Sequence, residues 1–303
     1  MATPFSLRPM YLTALSITGS VCPLNSSRSI TADYKTGEAG MRAACYVVKL
    51  GGSITTRKQG RYELRHEVIA FIAEVLQSRA ASWDVPLILV LGGGSYGNLA
   101  PTDYRIFERD GGLPSVDLPM MTVTMFAMLS EISNVCVDHA LRVYPLQTSA
   151  LCSADESGCL TMDTRSLRAV MAAGYIPLLS GDLVIGQGRE PLLLSSDDIP
   201  ALLTEDFDVR RVLYYTDVSG IYDPADPSTI IAFVSSTNAS DVQGLVGGSA
   251  ATDLTGGMRN KFMQQRLLAQ RGVESEVLAF EHFHHLDQSL RGTRQFGTVF
   301  LSE

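Results

Sequence analysis

The sequence predicts an α/β protein built around a mostly parallel sheet, and three observations carry that expectation. From Cys45 onward, short apolar runs alternate with longer amphipathic segments, and Gly, Asp or Pro marks each junction, the pattern of successive βαβ units. Most of the apolar runs are unbroken, as strands buried on both faces of a parallel sheet must be. Glycine clusters follow several of them, at the carboxyl ends of strands, where open α/β sheets hold their ligands.

Taken in order, strands are expected at Cys45–Leu50, Leu87–Leu91, Ile176–Leu179, Arg211–Thr216 and Ser275–Ala279. Helices are expected at Arg65–Arg79, Leu118–Val143, Thr164–Ala173, Asp197–Asp206 and Met258–Arg271. Gly186, Gly188 and Pro191 suggest a hairpin or loop, which divides the chain into a lobe of residues 41–185 and a second of residues 186–303. Residues 1–40 differ in character: they are rich in Ser and Thr, hold Arg8 and Arg28, and carry no acid before Asp33. They lack the compact apolar run and cleavage signal of a secretory peptide, and read first as a disordered extension or as the consequence of a true start at Met41, with an organellar transit segment as the alternative.

Composition narrows the partners. Of 303 residues, 46% are hydrophobic and 18% charged, which suits a folded chain with a sizeable core. The net charge of −8 offers no basic stripe for a nucleic acid backbone. The longest apolar stretch, Leu118–Leu129, is closed by Asp117 and Glu131 and falls short of the roughly 20 residues of a spanning helix, so no membrane segment is expected. Five scattered cysteines without metal-ligand spacing read as reduced and cytoplasmic. No metal-ligating set is expected; Glu281–His285 reads as an exposed loop entering the last helix, and His66 and His139 as surface histidines. Met120, Met121, Met125 and Met128 read first as core, with pocket lining as the second reading.

Three glycine segments carry the chemistry: Lys49–Ser53, Gly92–Gly97, and Thr255–Met258 opening the helix of Lys261. Glycines let the backbone approach an anion and aim successive N–H groups at it, and a helix N-terminus adds partial positive charge. The segments match neither the Walker A spacing nor the dinucleotide fingerprint. Phosphoryl transfer needs cations around the migrating oxygens and in-line reactants, and Lys49, Lys58 and Lys261 stand beside the glycine turns to supply the cations. Ser195–Asp198 reads either as a helix cap or as the source of an orienting anion among the lysines, from Asp197 or Asp198. Thr216–Pro224 reads either as a tight turn or as a strand-end turn against a nucleotide.

The motifs KLGGS at Lys49–Ser53, GGGSYG at Gly92–Gly97, SGD at Ser180–Asp182, SSDD at Ser195–Asp198, TDVSGIY at Thr216–Tyr222 and DLTGGMRNK at Asp253–Lys261 occur in the order found in amino-acid kinases. From Tyr46 to the C-terminus the chain resembles that superfamily, and within it the isopentenyl phosphate kinases and related fosfomycin kinases. The resemblance implies an open three-layer αβα sandwich, with the acceptor on the N-terminal lobe and ATP with Mg²⁺ on the C-terminal lobe. It implies direct transfer of the γ-phosphoryl group to a small anionic acceptor, with no protein nucleophile, in a homodimer. Lys49 and Lys261 would neutralise the migrating group, Lys58 would bridge donor and acceptor, and Asp197 would hold the lysines. Gly51, Gly52 and Ser53 would donate backbone contacts, Gly52 on the acceptor side. Gly93 and Gly94 would cradle the acceptor's anionic group beside Asn98 and Asp182. Thr216, Asp217, Gly220, Tyr222, Gly257 and Met258 would line the nucleotide pocket. The chain departs from the resembled branch at Asn98, where that branch carries a histidine on the acceptor phosphate or phosphonate. Asparagine donates a hydrogen bond but carries no charge. The alternatives are a carboxylate, carbamate or amino-acid-like acceptor, or a silent nucleotide or anion sensor. Retention of Lys49, Lys58, Asp197 and Lys261 together speaks against the sensor, which needs no transition-state charges.

Overall fold

The computed structural model describes residues 20–21, 42–57, 59–110, 113–187, 190–223, 226–246 and 257–303. Expectations for Cys22, Lys58, Gly188, Pro224, residues 253–256 and nearly all of residues 1–40 fall outside them. Strand β1, Ala43–Leu50, is followed by the single-turn helix α1, Gly52–Thr55, and by α2, His66–Arg79. Next come β2, Leu87–Leu91, α3, Gly94–Asp103, α4, Pro119–Asp138, and β3, Val143–Pro145. Helix α5, Arg165–Ala172, leads to β4, Ile176–Ser180, and to a hairpin of β5, Asp182–Ile185, with β6, Pro191–Leu194. Helix α6, Ile199–Leu203, β7, Phe207–Thr216, and β8, Phe233–Val234, precede α7, Gly257–Gln270, β9, Ser275–Ala279, and β10, Thr298–Phe300.

Eight strands form one sheet in the order β8-β10-β9-β7-β1-β2-β4-β3, parallel at every pairing except β9 with β10. Side chains alternate across a strand, so Val48, Leu50, Leu89 and Leu213 face one way and pack with Ile69 and Ile72 of α2 and Met125 and Met128 of α4. Val47, Ile88, Val90 and Val212 face the other way and pack with Leu167 of α5, Leu202 of α6 and Phe262 of α7. Burying each such side chain contributes roughly 1.5–3 kcal/mol. A sheet with an apolar layer on each face is the three-layer αβα sandwich expected.

Four expectations need correction. The helix expected to run to Val143 stops at Asp138, because Ala140 enters the left-handed region at φ 57 and the next apolar residues become edge strand β3 against Ile176. The helix expected over Asp197–Asp206 shrinks to α6, since β7 begins early, at Phe207, across a bulge between Val209 and Arg211. Gly94–Asp103 is helical despite its glycines and Pro101. Cys159 is disulfide-bonded, against the reading of five reduced thiols. Cys45, Cys136 and Cys152 are free, and burial lifts each thiol to about 12.

Among the described residues α4 is the one helix long and apolar enough to cross a membrane, and its Met121, Met125, Met128, Leu129 and Ile132 are buried in the core. Met120 is exposed. Phe280–His285 is a 3₁₀ turn entering a short helix, with the rings of His282 and His285 stacked on Phe296.

Candidate active site

Because β1, β2 and β7 run parallel and in register, their carboxyl ends coincide: Leu50 pairs with Leu91 on one side and Tyr215 on the other. The register continues into the loops, where Gly92 N–H donates to Leu50 O and Gly51 N–H to Tyr215 O, both at 2.8 Å. Gly51–Ser53, Gly92–Gly94 and Thr216–Asp217 therefore meet Gly181–Asp182 around one cavity of about 390 Å³.

Lys49 enters that cavity from the sheet. It shares the β1 face of Cys45 and Val47, which α5, α6 and α7 cover. Opposite it stands Asp197, in the turn before α6. Asp197 receives Lys49 Nζ at 2.6 Å and Lys261 Nζ, from α7, at 3.2 Å. None of the three is more than 9% exposed. A buried charge is tolerated only when paired. Two ammonium groups on one carboxylate satisfy that rule and give the trio itself a net charge of +1, while Asp182 and Asp217 also line the cavity.

The electrostatics follow from burial and proximity. Burial pushes the Asp197 carboxyl up, but Lys261 and Lys49 outweigh it and hold the group at about 2. Burial brings Lys49 down to about 8, with Asp197 opposing the fall and Lys261 adding to it. Asp198 turns elsewhere, accepting Ser195 N–H and the Asn260 side-chain amide, each at 3.2 Å, and burial lifts its carboxyl to about 7. Of the two aspartates, Asp197 is the one between the lysines.

Asp182 borders the cavity with its oxygens committed. Oδ1 accepts Thr122 Oγ1–H at 2.9 Å and Leu183 N–H at 2.8 Å, while Oδ2 accepts Ser149 N–H at 3.1 Å. Burial raises its carboxyl above the usual range, against the pull of those donors. Asn98 lines the same cavity from α3, and Met121, Met125, Leu193 and Leu194 give it an apolar wall. The wall residues had only the methionine pattern as a sequence signal; Leu193 and Leu194 had none, because pocket and core leucines read alike.

Of the expected site residues, Lys49, Gly51, Gly52, Ser53, Gly93, Gly94, Asn98, Asp182, Asp197, Thr216, Asp217 and Lys261 share this cavity. Gly220 does not line it: Ile221 N–H donates to Thr298 Oγ1 beside it, and a Cβ on Gly220 would meet that oxygen at 2.7 Å. Tyr222 is 41% exposed on a short strand, away from the cavity lining. Gly257 and Met258 form the start of α7, and Lys58 lies outside the described residues.

The model of the amino acid kinase family matches residues 44–278, so the chain belongs to the amino acid kinase family. The isopentenyl phosphate kinase of Methanothermobacter thermautotrophicus is 26% identical over 266 residues, covering 83% of this chain and 97% of that protein. The enzyme of the same name from Methanocaldococcus jannaschii is 25% identical over 235 residues, covering 75% and 88%. A crystal structure of an isopentenyl phosphate kinase superposes with a TM-score of 0.67 at 23% identity, covering 84% of this chain and 99% of the other. The chain is a kinase.

Proposed function

We propose that this chain transfers the γ-phosphoryl group of ATP to a small phosphate or phosphonate monoester bearing a short apolar body. The observation that carries the reading is the Lys49–Asp197–Lys261 bridge at the junction of two glycine loops. The trio offers a net positive charge where the migrating group would pass, on side chains that are themselves buried, which limits screening by water. Gly52, Gly93, Gly94 and Asn98 would hold the acceptor's anionic end, and Met121, Met125, Leu193 and Leu194 its apolar body. Gly51, Ser53, Thr216 and Asp217 would hold the nucleotide, with Gly257 and Met258 at the start of α7 beside it and Lys58 near the migrating group. Asp197 and Asp182 are already engaged, so Mg²⁺ is taken to arrive on the nucleotide's phosphate oxygens. Transfer is direct, with the acceptor oxygen attacking phosphorus. Residues 41–185 would form the acceptor lobe and residues 186–303 the nucleotide lobe. The test is ADP release with isopentenyl phosphate, a phosphonate, glutamate and a hydroxy acid in parallel. Turnover with none of them at any Mg²⁺ concentration rejects the reading.

A second reading, a carboxylate or amino-acid-like acceptor, is favoured by the uncharged Asn98 at the acceptor wall. Asn98→His separates the two. For a phosphate monoester the new charge-assisted contact should raise kcat/KM about tenfold, equivalent to ~1.4 kcal/mol. For another acceptor it should leave isopentenyl phosphate turnover unchanged and impair the true substrate. We also propose a homodimer, supported by Val123, Phe126 and Val137 exposed along one side of α4. Light scattering at one chain mass would reject it.

A further inference from the structure

The two glycine loops that meet at the cavity are fastened to each other by one hydroxyl group. We propose that Thr56 is a positioning residue that holds the loops at the spacing direct transfer requires, an inference that rests on the kinase reading above. Thr56 lies just beyond α1 and is 1% exposed. Its N–H and its Oγ1–H both donate to Gly52 O at 2.9 Å, and its Oγ1 accepts Ser95 N–H at 3.0 Å from the other loop. Ser95 is the second residue of α3, whose preceding residue, Gly93, has no side chain to cap the exposed N–H groups. Thr56 therefore does from another segment what a serine or threonine N-cap does from its own.

The arrangement tolerates little movement. A Cβ on Gly52 would sit 2.0 Å from Gly94 N, and a Cβ on Gly94 would sit 2.0 Å from Thr56 Oγ1. Gly94 also holds φ at +51, where a side chain is strained. Three backbone segments and one hydroxyl thus share a single contact point. The hydrogen bonds aim the remaining donors as well. A peptide unit is planar and trans, so fixing Gly52 O toward Thr56 turns the N–H of Ser53 the opposite way. Ser95 N–H is consumed within the contact itself. In the proposed reaction the first loop carries Gly51 and Ser53 on the nucleotide side and Gly52 on the acceptor side, next to Gly93 and Gly94 of the second, so the placement of one loop against the other sets the distance between the reacting oxygen and phosphorus. A misplacement of about 1 Å at that distance costs on the order of a hundredfold in rate.

The test compares Thr56→Ser, which keeps the hydroxyl, with Thr56→Val and Thr56→Ala, which lose it, using the full chain and the best acceptor from the ADP-release panel. Expected results are a fall in kcat of about thirty- to a hundredfold for the valine and alanine proteins, KM for ATP within about threefold, and near wild-type kcat for the serine protein. Thermal unfolding is measured on all three. The proposal is overturned if the valine protein keeps kcat within twofold, if serine is as slow as valine, or if the loss lies in KM alone. It is equally overturned if the hydroxyl-free proteins fail to fold while the serine protein folds, since the hydroxyl would then serve stability alone. An inactive wild-type chain rejects the kinase reading itself, a separate result.

Discussion

At Lys49 burial and charge act against each other, and the balance sets a pH range. Burial lowers the ammonium from 10.5 to about 8 even though Asp197 touches it. In the proposed reaction the free protein must hold Lys49 charged to receive ATP. The expected profile is therefore kcat/KM for ATP declining as pH rises through about 8. The decline in kcat should come later, because bound phosphate oxygens favour the ammonium form. Lys49→Arg keeps its charge past pH 12 and should lose the limb near 8 even if it is slower overall; a wild-type profile flat to pH 9.5 contradicts the assignment. Stability moves the other way. Between about 8 and 10.5 the unfolded chain binds more protons at this lysine than the folded chain does, so this group makes the fold more stable as pH rises across that window. Lys49, Asp197 and Lys261 were legible in the sequence because each lies in a short motif beside a glycine turn or helix start. Thr56 was not, because the bond that defines it reaches a partner 39 residues away and leaves no local pattern.

Elements are joined around the cavity by Asp182, which ties α4 through Thr122, the 148–151 turn through Ser149, and β5 through its own neighbour Leu183. Removing its carboxylate strands three donors at once. Asp182→Ala should therefore cost about 3 kcal/mol in denaturant unfolding, given roughly 1–3 kcal/mol for a buried donor left unpaired and partial relief from water. Asp182→Asn keeps one acceptor and should lose less. A loss under about 1 kcal/mol for the alanine protein would mean that the three elements are held by packing instead. The same contrast explains what was readable at this scale. The strands at Leu87–Leu91 and Ser275–Ala279 match the sequence expectation to the residue: the first is buried on both faces and shows as an uninterrupted apolar run, and the second keeps the apolar run Val277–Ala279 after the buried polar pair Ser275 and Glu276. The first half of β7 was lost because Asp208 and Arg210 alternate with Phe207 and Val209, which masks a strand from a search for apolar runs. Helix α3 was lost because glycine and proline argue against a helix locally, and here Thr56 supplies the missing cap.

For the whole molecule, the question is whether the proposed lobes, residues 41–185 and 186–303, behave as separate bodies. Their boundary in the sheet is the pairing of β1 with β7, which runs from Ala43 with Phe207 to Leu50 with Tyr215 and is the longest ladder in the fold. It lies at the middle of the eight strands, and both apolar layers cross it: Val48 and Leu213 on one face, Val47 and Val212 on the other. Opening that seam would expose paired backbone groups and two core faces together. Neither half would retain a closed core, so neither has a partly unfolded state that gains chain entropy without losing most of its burial. Calorimetry on the nucleotide-free chain should accordingly give one unfolding transition, with calorimetric and van't Hoff enthalpies in agreement. Addition of MgADP should move that single transition upward as a whole, by mass action on the folded state. Two resolved transitions, with only the later or the earlier one responding to MgADP, would show instead that the lobes fold independently and that the β1–β7 seam is a hinge.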